Sequence, residues 1–253
     1  MRHLAIECSG FGGSVSLFDD DLEVISQELP RDQGSVQSLA PAIMNIFRNE
    51  TIGPQSLDFL SVTTGPGSFT GLRVGLATAK MLAFAWRLPI VGVDTLECLA
   101  LRIALQHPTL STSLVVPIIN AYRKQVFAGA WEINTGGSMS VRIPSRVVDA
   151  DTWLRAPWRS LVDDTTDALL PETQRLLVTG SGLRQYTPNA CATGRPRQQI
   201  SPEATWDPRS IEVALIGLAK FLRGETSTAE SLSANYVRQS AAEEARQTES
   251  KPD

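Results

Sequence analysis

The chain has 253 residues, 42% of them hydrophobic and 20% charged, ordinary globular usage for one large domain or two modest ones. A formal net charge of -4 argues against a protein that holds nucleic acid by itself through a phosphate-neutralising face. Cys8, Cys98 and Cys191 stand far apart without CxxC spacing, which argues against a disulfide framework and a thiolate metal site.

Three strands open the chain in succession, with apolar residues over 4–8 (LAIEC), 14–18 (SVSLF) and 22–26 (LEVIS). Gly12-Gly13 and Asp19-Asp20-Asp21 supply the turns. Val36, Leu39, Ala40, Ile43, Met44 and Phe47 recur at helical spacing, which predicts an amphipathic helix with Pro41 tolerable only in its first turn. Residues 57–63, LDFLSVT, form a short apolar strand. It leads into GPGSFTGLRVGLATAKMLAFAW (65–86), a glycine-rich turn and a helix that ends near Arg87 because Pro89 follows. PIVGV is the next strand, and Asp94 and Glu97 then stand three apart before an apolar-periodic run to Gln106. That is a capping-box arrangement opening another helix.

The order βββαβαβα is the ribonuclease H-like pattern: an antiparallel meander whose later strands join through helical crossovers, giving a mixed sheet covered by helices. The second half repeats it loosely. SLVVPIIN (113–120) and QVFAGAWEI (125–133) flank the polar turn 121–124 as a hairpin, and SVRIPSRVV adds a strand. Asp151 is placed to cap a short helix, RLLVTGSG (175–182) reads as a strand running into a glycine turn, and Asp207-Pro208 starts a helix that Gly224 stops. The expected fold is α/β, with a ribonuclease H-like lobe over 1–110 and a more divergent one over 111–240. The polar stretch 241–253 (AAEEARQTESKPD) has no apolar anchor and is expected to be disordered. No basic segment followed by an apolar run opens the chain, and no stretch reaches the ~20 apolar residues of a membrane span. We expect a soluble cytoplasmic protein without membrane contact.

The glycine motif is neither of the common phosphate fingerprints. A Walker A loop needs GK[ST], whereas Leu72-Arg73 follow Gly71; a dinucleotide site needs GxGxxG, whereas Gly65, Gly67 and Gly71 are spaced GxGxxxG. A tight turn whose Ser68 or Thr70 caps the helix is the plainer reading, with phosphate cradling at the helix N-terminus as the alternative. Within the helix, Arg73, Lys80 and Arg87 are seven apart and fall on nearly one line, leaving a wide apolar arc. Gly71, Gly75, Ala79 and Ala83 repeat every four residues. Such a stripe lets another backbone approach closely, either a partner helix, which we expect, or the helix's own domain. The only histidines are His3 and His107, in contexts that suggest no shared metal or triad site. Glu7, ending the first strand, is the leading carboxylate, and Ser14 could face a phosphate; the plainer readings are a strand-end charge and a hairpin residue.

GPGSFTGLRVGLATAKMLAFAWRLPIVGVDTLECLA, with LAIECSGFGGSVSL, IINAYRKQVFAGAWE and LSANYVRQSAAEE, strongly resembles the TsaB (YeaZ) family of tRNA threonylcarbamoyladenosine biosynthesis. The resemblance implies the actin-like ATPase fold, two ribonuclease H-like lobes, in a degenerate paralogue of the catalytic subunit TsaD. Where TsaD carries two metal-binding histidines four residues apart, this sequence has Thr95 and Leu99, neither able to bind the metal in that way. The resemblance therefore implies no catalytic and no metal residues. It leaves at most a vestigial cofactor site at Glu7 and Ser14, with no cofactor held tightly and ATP bound only weakly or in the complex. Two departures stand out, Glu7 where the family usually has aspartate and Ser35 where it often has histidine, and the match is loose over 145–205.

The function implied is that of a non-catalytic partner subunit of TsaD in forming N6-threonylcarbamoyladenosine next to the tRNA anticodon. TsaE is a further partner, tRNA is met only through the complex, and the chain alone pairs with itself. The expected interface lies on helices 39–47 and 70–87, at Leu39, Ile43, Phe47, Gly71, Gly75, Ala79, Leu82 and Ala83. The alternative is an active ATP- or metal-dependent enzyme (a kinase, carbamoyltransferase or glycoprotease-like peptidase) with Glu7 facing magnesium. A stand-alone RNA-binding protein conflicts with the net charge.

Overall fold

The computed structural model describes residues 1–30, 34–49, 52–107, 113–134, 138–151, 175–186 and 198–235. Cys191 and the stretch 241–253 lie outside them, as does any helix following Asp151.

In β1 (Arg2–Glu7), β2 (Ser14–Asp19) and β4 (Phe59–Gly65) odd and even residues alike are buried, so the sheet they build must be covered on both faces. With β3 (Leu22–Glu28) and β5 (Ile90–Asp94) they form a five-stranded sheet of order β3-β2-β1-β4-β5. The first three strands pair antiparallel, and β1, β4 and β5 run parallel, as the crossover logic requires. One face, through Leu4, Ile6, Leu17, Leu60 and Val62, packs on α1 (Gly34–Asn49) and α2 (Phe69–Trp86). The other, through Ala5, Phe18, Phe59, Val91 and Val93, packs on α4 (Ser210–Leu222). Each fully buried Leu, Ile or Phe in these layers contributes about 1.5–3 kcal/mol.

The second sheet repeats the first. Strands β6 (Ser113–Tyr122), β7 (Gln125–Ile133), β8 (Met139–Asp149), β9 (Leu176–Thr179) and β10 (Gln198–Ile200) are ordered β10-β9-β6-β7-β8, with β6–β7 and β7–β8 antiparallel and β6–β9 and β9–β10 parallel. Read from its β8 edge, this is the order of the first sheet. α3 (Thr95–Gln106) joins the two lobes and is buried between them: Leu96, Leu99, Ala100 and Ile103 pack on Val115, Ile119, Trp131 and Leu177 of the second sheet, while Cys98 faces the first lobe.

Several elements differ from the expectations. Pro41 lies well inside α1 rather than in its first turn; it is exposed, as is Gln37, whose freed carbonyl can be met by water. Asp94 does cap α3, its Oδ1 accepting from the amides of Leu96 and Glu97, but the Glu97 carboxylate lies 3.6 Å from Lys220 Nζ. The last helix begins at Ser210, after Asp207-Pro208, because Ser14 Oγ accepts from the Ser210 amide at 2.8 Å and Glu212 from the Arg209 amide at 2.8 Å. β10 is a three-residue polar strand with no apolar period to announce it. The boundary at 110 does not hold to the end of the chain. α4 returns to the first sheet, Ser227 pairs with Ile90 through backbone bonds of 2.8 and 3.0 Å, and Leu232 is buried in the first lobe's core.

Candidate functional site

Two places were singled out by the sequence, the carboxyl end of β1 and the helix α2. Beside the former, between the lobes, lies a cleft of about 320 Å³ bordered by Gly12, Gly13 and Ser14 on one side and Arg184, Asp207 and Arg209 on the other. Beneath it Glu7 is fully buried. Its Oε1 accepts from the Ser9 amide and hydroxyl, both at 2.5 Å, and from the Gly10 amide at 3.2 Å. Oε2 has no hydrogen-bond partner among the described residues. Burial raises the carboxyl to about 7, against the opposing pull of the Ser9 bonds. Consecutive amides of this kind make an anion nest, and here the chain's own carboxylate fills it.

The rest of the cleft is equally self-satisfied. Ser14, which opens β2 of the hairpin, is buried, and its hydroxyl caps α4 by accepting from the Ser210 amide. Arg184 donates to both Asp207 oxygens at 3.1 and 2.9 Å and to Glu203 at 3.4 Å, and Arg209 lies 3.4 Å from Glu28. The Ser9 and Gly10 amides, the Ser14 hydroxyl and both guanidiniums are thus engaged within the chain. Thr95 and Leu99 are both fully buried, Leu99 under the second sheet. Among the described residues no group of three His, Cys, Asp or Glu side chains is placed to hold a metal ion.

α2 begins as the motif suggested, with Ser68 Oγ accepting from the Gly71 amide at 3.2 Å. The small-residue stripe, however, faces inward. A Cβ on Gly71 would stand 2.0 Å from the Cys8 carbonyl oxygen, and one on Gly75 would stand 3.0 Å from Cys8 Cβ; Ala79 and Ala83 are buried. The close approach is to the end of β1, not to another protein. On α1, Leu39 and Ile43 are buried as well, while Phe47 of α1 and Leu82 of α2 are half-buried, Phe47 packing edge-on to Trp86 at 5.7 Å between ring centres. Six of the eight residues assigned to the interface therefore belong to the chain's own core.

What these helices do present is a different face. Met81 and Phe84 are 72% and 76% exposed on α2, and Val36 and Met44 are 66% and 52% exposed on α1. Ala40 and Ala77 lie exposed among them. The two helices pack side by side on one face of the first sheet, so their outer faces lie on the same side of the first lobe. A periodic pattern that is apolar on two sides betrays such a helix, but it does not say which side the sheet takes.

The chain's residues 31–163 match the family model described as TsaD, tRNA N6-adenosine threonylcarbamoyltransferase. The tRNA threonylcarbamoyladenosine biosynthesis protein TsaB of Bacillus subtilis is 28% identical over 246 residues, 96% of each chain. The chain belongs to this family, on its TsaB (YeaZ) branch. TsaB of Escherichia coli is 36% identical over 101 residues, 40% of this chain and 43% of that protein. A Pseudomonas aeruginosa protein of known structure, described as similar to the peptidase YeaZ, superposes with a TM-score of 0.73 at 23% identity over 94% of this chain and 99% of its own. That likeness bears out the α/β fold of two lobes, each a mixed sheet covered by helices. Among the described residues no helix is long and apolar enough to cross a membrane.

Proposed function

We propose that the chain is a non-catalytic partner subunit in the formation of N6-threonylcarbamoyladenosine in tRNA, docking on the TsaD transferase subunit. The observation that carries this reading is the pairing of a self-filled cleft with an exposed apolar two-helix face. Beneath the cleft Glu7 occupies its own amide nest, and both arginines at its border are ion-paired. The α1–α2 face leaves Val36, Met44, Met81 and Phe84 in solvent, as a surface awaiting a partner does. Membership of a family whose relatives bear the threonylcarbamoyladenosine name supports it. In this reading no cofactor is held tightly, ATP enters only weakly or in the complex, TsaE joins the assembly, and tRNA is met only through it. The protein works in the cytoplasm and self-associates through the same face when alone.

The test is co-purification of the chain with TsaD of the same organism, followed by measurement of the modified nucleoside with and without the chain. Failure of both would remove the reading. Robust ATP turnover by the isolated chain, lost in Glu7→Ala, would replace it with an active member of the fold.

A further inference from the structure

The exposed face of α1 and α2 is unusual in its charge. Between Asp32 and Glu50, and again between Asp58 and Asp94, the sequence contains no carboxylate at all. The charged residues of the two helices are Arg48, Arg73 and Lys80, with Arg87 at the end of α2. Arg48, Arg73 and Arg87 are exposed. Lys80 is half-buried and donates to the Leu232 carbonyl oxygen at 3.0 Å. Arg73 sits on the same stripe as Ala77, Met81 and Phe84, one turn or a multiple of it apart, and its guanidinium lies 4.1 Å over the Phe69 ring. That stacking holds the charge on the rim of the apolar patch.

Resting on the docking reading above, we propose that this basic rim selects the occupant: an apolar helical face edged with carboxylates, in preference to a second copy of this chain. A two-fold pairing places one surface against itself. Every charged pair drawn from the two helices themselves is then Arg or Lys against Arg or Lys, and such juxtapositions are repulsive. A partner with Asp or Glu on its rim turns the same positions into attractions and shares the apolar centre equally well. Apolar burial thus drives both associations, and charge decides between them.

The two associations must therefore respond to salt with opposite signs, because ions screen repulsion in one and attraction in the other. The full chain is measured alone by sedimentation and with TsaD of the same organism by titration, at about 50 mM and about 500 mM sodium chloride. Raising the salt is expected to weaken TsaD binding about tenfold and to strengthen self-association. In Arg73→Glu, TsaD binding at low salt falls at least tenfold and self-association rises, since the introduced carboxylate can then face Arg48 or Arg87 of the second copy. Both effects disappear at high salt. TsaD binding that is insensitive to salt and to Arg73→Glu, or self-association that salt weakens, overturns the charge proposal while leaving docking intact. No TsaD binding at either salt, with Met81→Ser without effect, defeats the docking reading itself. Equally tight binding of tRNA or of anionic lipid vesicles by the chain alone, lost in Arg73→Glu, would mean that the basic rim serves a phosphate surface, and would overturn the proposal.

Discussion

The two lobes repeat one strand order and one stitch. In the first, the loop after β4 returns to the end of β1, the Ser68 amide donating to the Ser9 carbonyl oxygen at 2.8 Å; in the second, the loop after β9 returns to β6, the Gly182 amide donating to the Ile118 carbonyl oxygen at 3.0 Å. In both, glycine permits the approach: Gly67 and Gly71 beside Ser9 and Cys8, Gly180 and Gly182 beside Ile118. The lobes differ in the side chains mounted on that frame. β1 carries the titratable His3 and Glu7, whereas β6 contains no Asp, Glu, His or Lys, and the first lobe's helices carry the outward apolar face. The scaffold is shared; the buried titratable side chains of β1 and the exposed apolar side chains of α1 and α2 belong to the first copy.

The largest effect tests the shared stitch. Gly71→Val pushes a side chain into the Cys8 carbonyl, which cannot yield without moving β1, and should cost more than about 3 kcal/mol. Gly182→Val, whose Cβ has 3.1 Å to the Ile118 oxygen, should cost less, about 1–3 kcal/mol. Urea midpoints of the two variants rank them; a milder Gly71 variant would show that the first lobe's approach is looser than its geometry.

The tie between lobes comes next. Arg102 of α3 donates to Glu212 of α4 at 3.0 Å and to the Ala204 carbonyl oxygen at 3.0 Å, with both charged side chains nearly inaccessible. Glu212→Ala leaves the guanidinium buried without its counter-ion, at about 3–5 kcal/mol. The double replacement Arg102→Met with Glu212→Leu should recover most of that loss, as thermal unfolding of both variants will report.

A third prediction separates the lobes by pH. Glu7 binds its proton up to about pH 7 in the native chain, above its ordinary range. Its contribution is therefore full below about 4.5 and is lost as pH rises through 7. His3 is stacked between Phe18 and Phe59 at 5.5 and 4.4 Å, and burial lowers it to about 4 from 6.5. Its contribution is full above 6.5 and is lost as pH falls towards 4. Each amounts to something on the order of 3 kcal/mol across its window. The two windows overlap with opposite slopes, so Glu7→Gln should leave a stability that rises with pH between about 4 and 6.5, and His3→Leu one that falls with pH between about 4.5 and 7. Profiles that keep their shape in both variants would move the pH dependence out of β1.

The smallest effect on stability is expected at the surface. Met81→Ser should change unfolding by less than about 0.5 kcal/mol yet abolish capture by TsaD. Ala79→Trp, on the opposite side of the same helix and buried, should unfold the chain. Equal behaviour of the two would erase the distinction between the inner and outer faces of α2.

Much of this was legible in residue order. The alternating and continuous apolar runs of residues 4–8, 14–18 and 57–63, the Asp94 cap and the Ser68 cap are local, and local sterics and hydrogen bonding determine them wherever the segment lies. The family likeness was carried by GPGSFTGLR, where glycine spacing records a backbone contact with β1. What tertiary structure alone decided is direction and partnership. The stripe Gly71, Gly75, Ala79 and Ala83 permits close packing but contains nothing to say on what, and the sheet took it because Cys8 and Val62 present backbone and small side chains there. Glu7 could face an ion or a nest; only the fold turned the amides of Ser9 and Gly10 towards it. Strands β9 and β10 and helix α4 owe their places to residues distant in sequence, and Glu212 meets Arg102 across 110 positions. Such contacts depend on the whole packing, which periodicity within one segment does not encode.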